Sequence, residues 1–202
     1  MSKKRIDQAA LDKWVDGLIG KRTVYGVQAR GDRFAFAPLA RAADLRLDYD
    51  VTILPPKKYF QPQKEALMRF SRKGEFESVI ENDPFVVLGV HPYDLVAIDQ
   101  MDRIFSMNNY DVHYMSRRDA ATIVASDMQS FSENVFAGCM GTATVDKGYD
   151  VLLTKLDDGT YVVDAATDKG EALTAALGSA PEADAQALAA REKIWERNRK
   201  SA

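Results

Sequence analysis

Cysteine occurs once in these 202 residues, at position 139, and histidine twice, at 91 and 113. One thiolate cannot close an internal disulfide, nor supply the four ligands of a cubane iron–sulfur cluster or a structural zinc site. His91 and His113 stand at no recognised ligand spacing, so no metal site, and no cofactor held by this chain itself, is expected. Long apolar runs are missing as well, which excludes a membrane span of the usual ~20 residues. The basic start, Met1-Ser-Lys-Lys-Arg-Ile-Asp7, leads into an amphipathic stretch rather than the apolar core of a secretory leader, so a cytoplasmic location is expected. No excess of positive charge exists: 27 Lys and Arg face 30 Asp and Glu, and basic residues cluster only in pairs such as Lys57-Lys58 and Arg117-Arg118. A nucleic-acid partner is therefore not expected. Neither G-x-x-x-x-G-K-[ST] nor G-x-G-x-x-G follows any predicted strand, which disfavours the nucleotide enzymes that use those loops.

What is present reads as an α/β protein. Leu11, Trp14, Val15 and Leu18 recur on one face of a predicted helix over 6–18, with Gly20 as its stop. Thr23–Ala29 and Arg33–Pro38 flank Arg30-Gly31-Asp32 and suit a hairpin. Pro55-Pro56 predicts extended backbone, and Pro62 opens a predicted helix with Ala66, Leu67 and Phe70 buried and Gly74 beyond its end. Phe85-Val-Val-Leu-Gly-Val90 is a continuous apolar run, as expected of a strand covered on both faces. Asp94 then caps a predicted helix carrying Leu95, Ile98, Met101 and Phe105, which crosses over to a second strand at 122–126. Two further strands, 150–154 and 160–164, flank the turn Asp157-Asp158-Gly159. The expected architecture is a mixed, mostly parallel central sheet flanked by helices, with an N-terminal helix and hairpin and an exposed C-terminal helix. Residues 1–178 read as one domain. Residues 179–202 read as a helical tail or connector, because 182–200 lack a broad apolar face.

Ligands of open α/β sheets gather beyond the carboxyl ends of parallel strands, which singles out the loop His91-Pro92-Tyr93-Asp94. His91 could donate to a ligand or move a proton, and the following helix N-terminus could receive an anion. The alternative is structural: Asp94 caps the helix while His91 and Tyr93 hold the loop. Arg117 and Arg118 suit a carboxylate or phosphate, or else surface ion pairs. Lys57 and Lys58, beside Tyr59 and Phe60, could meet an anion or simply form a solvated surface loop. Cys139 is either a reactive thiol in a turn or a small buried hydrophobe. With no general base beside it in the sequence, no catalytic residue is assigned.

Taken in order, Leu54-Pro-Pro-Lys-Lys-Tyr-Phe60, Gly89-Val-His-Pro-Tyr-Asp-Leu95, Met101-Asp-Arg-Ile-Phe105, Tyr114-Met-Ser-Arg-Arg118 and Gly138-Cys-Met-Gly-Thr142 form a series. It resembles the dicluster 4Fe-4S family of sulfhydrogenase beta subunits and their counterparts in anaerobic sulfite reductase, over roughly residues 25–169. The resemblance implies an α/β region that precedes a ferredoxin-like domain binding two cubane clusters through C-x2-C-x2-C-x3-C runs. No such run occurs in this chain, and 191–197 resembles the connector leading to it. The resemblance also implies cysteines in the 92–94 loop, near Asp127 and around 136–139, where this chain has Tyr93, Asp127 or Met128, and Cys139 alone.

Two functions follow as expectations. The first is a non-catalytic, cluster-free module of an electron-transfer subunit, docking onto a hydrogenase, a sulfite reductase or a related flavin-containing oxidoreductase. The 4Fe-4S clusters would then belong to the longer family members or to partner subunits. The second is a domain binding a small molecule or cofactor at strand ends around His91, Asp94, Arg117 and Arg118.

Overall fold

A computed structural model describes residues 2–201. In chain order its elements are β1 (Lys3–Ile6), α1 (Gln8–Ile19), β2 (Thr23–Arg30), β3 (Arg33–Pro38), β4 (Met68–Phe70), β5 (Phe76–Ser78), β6 (Phe85–Val90), α2 (Pro92–Ser106), α3 (Val112–Ala120), β7 (Ala121–Ser126), β8 (Val151–Lys155), β9 (Tyr161–Ala165), α4 (Asp168–Thr174) and α5 (Ala185–Lys200). Seven strands form one sheet in the order β1-β9-β8-β7-β6-β2-β3. Its centre, β8-β7-β6-β2, is parallel, and antiparallel strands extend it at both sides. The expected α/β fold with a mixed, centrally parallel sheet is therefore present. Among the described residues no helix is long and apolar enough to cross a membrane.

Alternation along the strands divides the core into two layers, because successive side chains point to opposite faces. Val86, Leu88, Val151, Leu153 and Val163 pack under α1 and α4 with Leu11, Trp14, Val15 and Leu173. Val87, Ile123, Ala125 and Leu152 pack on the other side with Leu95, Ile98 and Tyr114 from α2 and α3. A six-residue strand such as β6, buried from Val86 to Val90, must be apolar on both faces to serve both layers, which is why it reads as a run.

Local chemistry accounts for most boundaries. Asp7 caps α1 by accepting from the Ala10 amide at 2.8 Å, and the Arg30↔Arg33 pair closes the first hairpin over Gly31, whose φ is 65°. At Gly170 a side chain is impossible: a Cβ would lie 2.0 Å from the Asp150 carbonyl oxygen, so α4 approaches the backbone before β8 as only glycine allows.

Four expectations need correction. Pro62 opens no helix; residues 68–78 instead form the ribbon β4–β5, with Leu67 and Phe70 exposed rather than buried. The short helical spacing there loses to the turn signals Ser71 to Glu75, where the Ser71 amide donates to the Glu75 carbonyl and Gly74 sits at φ 82°. Pro55 is extended, but Pro56–Tyr59 is a 3-10 turn, and Phe60 is fully buried rather than on a surface loop. The crossover to β7 holds two helices, α2 and α3, whose N-caps are His91 and Asp111 rather than Asp94. Finally, α5 is exposed on one side only. Ala187, Arg191, Ile194, Trp195 and Asn198 form a buried stripe at helical spacing, against Leu156 and Val162 of the sheet face. Two of those five are polar, so the stripe does not read as an apolar face.

Candidate functional site

The carboxyl end of β6 is built around a bulge. Leu88 pairs with Val124 and Val90 with Ala125, so Gly89, at φ 91°, is an extra residue in β6. The inserted residue returns Val90 to the same layer as Val87 and sets the direction of His91. Tyr49 donates its hydroxyl to the Gly89 carbonyl at 2.7 Å and lays its ring on His91, with centroids 3.8 Å apart and planes at 2°. The Tyr93 hydroxyl donates to the Asp50 carbonyl at 2.7 Å and lies 3.1 Å from His91 Nδ1. A carbonyl only accepts, so Tyr93 has spent its proton there and its oxygen must accept from Nδ1–H. This fixes the tautomer and leaves Nε2 as a bare lone pair, buried and without a partner.

Burial controls the proton chemistry. His91 is fully buried and its pKa falls to about 3, so the ring is neutral at physiological pH and is no general acid there. Tyr49 and Tyr93 are driven up by the same desolvation and stay protonated. Asp94, in the first turn of α2, is pushed up to about 7 by burial, with the charge of Lys57 acting in the opposite sense. It is the group of this cluster that titrates near neutrality.

Of the other candidates named from the sequence, Lys57 approaches this cluster and the arginines and Cys139 lie elsewhere. Lys57 is exposed, close enough to Asp94 to act on its charge, while Lys58 donates to the Phe36 carbonyl at 2.8 Å and lies over the Tyr59 ring. Arg117 and Arg118 end α3 and so precede β7, whereas His91 follows β6; in parallel neighbours these are opposite ends of the sheet, about 20 Å apart. Both guanidinium groups already have carboxylates from this chain. Arg117 pairs with Glu65 and donates to the Phe60 carbonyl at 2.9 Å, and Arg118 pairs with Asp102 at 2.9 Å. His91 and Arg118 therefore do not line one pocket. Cys139 is exposed in the long segment between β7 and β8, so it is no buried hydrophobe.

A second polar cluster, at the carboxyl end of β7, escapes sequence reasoning. Asp127 Oδ2 accepts from Thr154 Oγ1 at 2.6 Å and from Trp195 Nε1 at 2.7 Å, and its pKa is raised to about 6 by burial against the pull of those two donors. Asn198 donates to the Met128 carbonyl, and Arg191 pairs with Asp164 at 2.7 Å while lying over the Trp195 ring. These contacts lock α5 onto the sheet. The one signal of it in the sequence is the spacing of Arg191, Trp195 and Asn198 among charged neighbours.

The three places where the family resemblance implies cysteines can be tested for fit to a cluster. Met128, Val135, Ala137 and Ala143 pack as a small apolar core with Val51, Tyr93 and Phe131. Tyr93, Met128 and the 135–137 stretch thus meet in space, but as a phenol, a thioether and hydrocarbon, with Cys139 on the exposed side. A cubane cluster requires thiolates at such positions, and these residues do not fit one. Among the described residues no group of three His, Cys, Asp or Glu side chains is arranged to hold a metal ion.

No protein-family model matches the chain, and no solved structure matches it significantly. Among curated proteins the chain is related to the sulfhydrogenase 2 subunit beta of Pyrococcus furiosus, at 34% identity over 139 residues. The match covers 69% of this chain and 41% of that protein, so the chain spans less than half of its relative's length.

Proposed function

We propose, from this relation to part of a sulfhydrogenase beta subunit, that the chain is a non-catalytic module of an electron-transfer subunit. It docks within a hydrogenase- or sulfite-reductase-like redox complex, and clusters of the 4Fe-4S type reside in partner polypeptides or in a further domain. The observation that carries the reading is the extent of the relation, 69% of this chain. The single cysteine supports its cluster-free half, since one thiolate cannot hold a cubane. So does the apolar packing of Tyr93 with Met128 and Ala137. The buried His91, neutral above about pH 3 and locked between Tyr49 and Tyr93, supports a scaffold role for the strand-end loop.

Affinity purification of the tagged chain from its own source, under anaerobic conditions, followed by gel filtration, tests the proposal. Stoichiometric co-elution with a hydrogenase, sulfite reductase or flavin-containing oxidoreductase polypeptide is expected. A monomer with no such companion would sink it.

A further inference from the structure

The ribbon β4–β5 projects from the domain with nothing packed on it: residues 66–78 are exposed throughout. Its register places Phe70 opposite Phe76 and Met68 opposite Ser78 on one face, with Arg69 opposite Glu77 on the other. Phe70 is 82% exposed and Phe76 76%, the two most exposed large apolar side chains among the described residues. The opposed aromatic pair helps hold the ribbon together, but a two-stranded ribbon alone is marginally stable in water, and neither ring is buried in the core of this chain. The root, by contrast, is moored: Phe60 is buried, and Arg117 ties its carbonyl and the Glu65 carboxylate to α3.

We infer that this ribbon is the docking arm of the module and inserts into an apolar groove with an acidic rim on a partner polypeptide of the redox complex. The inference rests on the docking reading given above. Area and charge select this occupant. Met68, Phe70 and Phe76 offer about 400 Å² of apolar surface, whereas a stable pairing of two copies needs about 800 Å² from each. A groove that encloses the ribbon buries both faces and Leu67 as well. The tip presents Arg72 and Lys73, which make no ion pair among the described residues, against one carboxylate, Glu75, that accepts from Ser71 Oγ at 3.1 Å, so an acidic groove end complements it. Glu75 and Glu77 flank Phe76 and oppose its insertion into an anionic lipid surface.

The test is photo-crosslinking in the source organism with p-benzoylphenylalanine placed at Phe70 of the full chain, and separately at Ile104 and Phe136, which are also exposed. The arm predicts an adduct from position 70 with a component of the redox complex, mapped to an apolar segment bordered by Asp or Glu. The double variant R72E/K73E should cut the yield of that adduct at least about tenfold while leaving thermal unfolding unchanged. An adduct with a second copy of the chain, or with lipid, overturns the inference. So does an adduct with a redox component from Ile104 or Phe136 but none from position 70, an outcome that leaves the docking reading standing. No adduct from any position overturns both. An adduct from position 70 with a protein outside redox chemistry sustains the arm and overturns the reading beneath it.

Discussion

Replacing Asp94 with asparagine should make the protein more stable, and by an amount that grows with pH. In the native state the carboxyl holds its proton up to about pH 7, because burial penalises the charged form more than Lys57 relieves it. In the unfolded chain it ionises near its ordinary value of 3.8. Between those two values the native state binds more protons than the unfolded state, so stability falls as pH rises through the window. The full contribution is present below the unfolded value of 3.8, and about 4 kcal/mol of it is gone by pH 7, at roughly 1.4 kcal/mol per pH step. Asparagine matches the protonated carboxyl in shape and cannot ionise. Urea unfolding of wild type and D94N at pH 4, 5, 6, 7 and 7.5 gives the difference directly, and the slopes from other carboxyls such as Asp127 cancel in it. The two proteins should be close at pH 4 and separated by about 4 kcal/mol at pH 7.5. A separation that does not change with pH, or a wild type that gains on the variant as pH rises, would refute the burial argument for this end of β6.

Gly170→Ala should destabilise the fold by about 3 kcal/mol or more, since its Cβ would sit 2.0 Å from the Asp150 carbonyl oxygen; thermal unfolding measures it. Trp195→Phe keeps an aromatic ring but removes the pyrrole half of the indole and with it the N–H that Asp127 accepts, which should cost at least about 2 kcal/mol and raise the Asp127 pKa further, so part of the deficit shows as an added loss of urea stability between pH 4 and 7. Tyr49→Phe preserves the stack on His91 and leaves the Gly89 carbonyl without its partner, for an expected loss of about 1–2 kcal/mol by denaturant unfolding.

Sequence carries the fold where a pattern serves one physical purpose. The β6 run, the first hairpin and the turn at 157–159 are legible because a continuous apolar run, apolar alternation and glycine at positive φ each have one simple reading. It misleads where a pattern serves two. Ala66, Leu67 and Phe70 have helical spacing, yet they run into a ribbon that is exposed and packs on no core, so spacing has nothing to enforce it. The stripe of α5 is hidden because Arg191 and Asn198 are buried only by virtue of partners, Asp164 and the Met128 carbonyl, that lie far away in sequence. For the same reason Asp127 and Tyr49 cannot be nominated from sequence: one is defined by Trp195 and Thr154, the other by a bulge carbonyl 40 positions on. Arg117 and Arg118 do seek carboxylates, as their chemistry suggests, but those carboxylates, Glu65 and Asp102, come from this chain.

The central claim, a docked module without a cluster of its own, is tested most directly by native mass spectrometry of the complex isolated anaerobically from its own source. Collisional release, followed by limited proteolysis of the released polypeptide, should show residues 1–202 to carry no iron or sulfide, in an assembly that also contains an iron–sulfur oxidoreductase component. Iron and sulfide of a cubane cluster retained on residues 1–202 themselves, or a chain found in no assembly, would contradict the account.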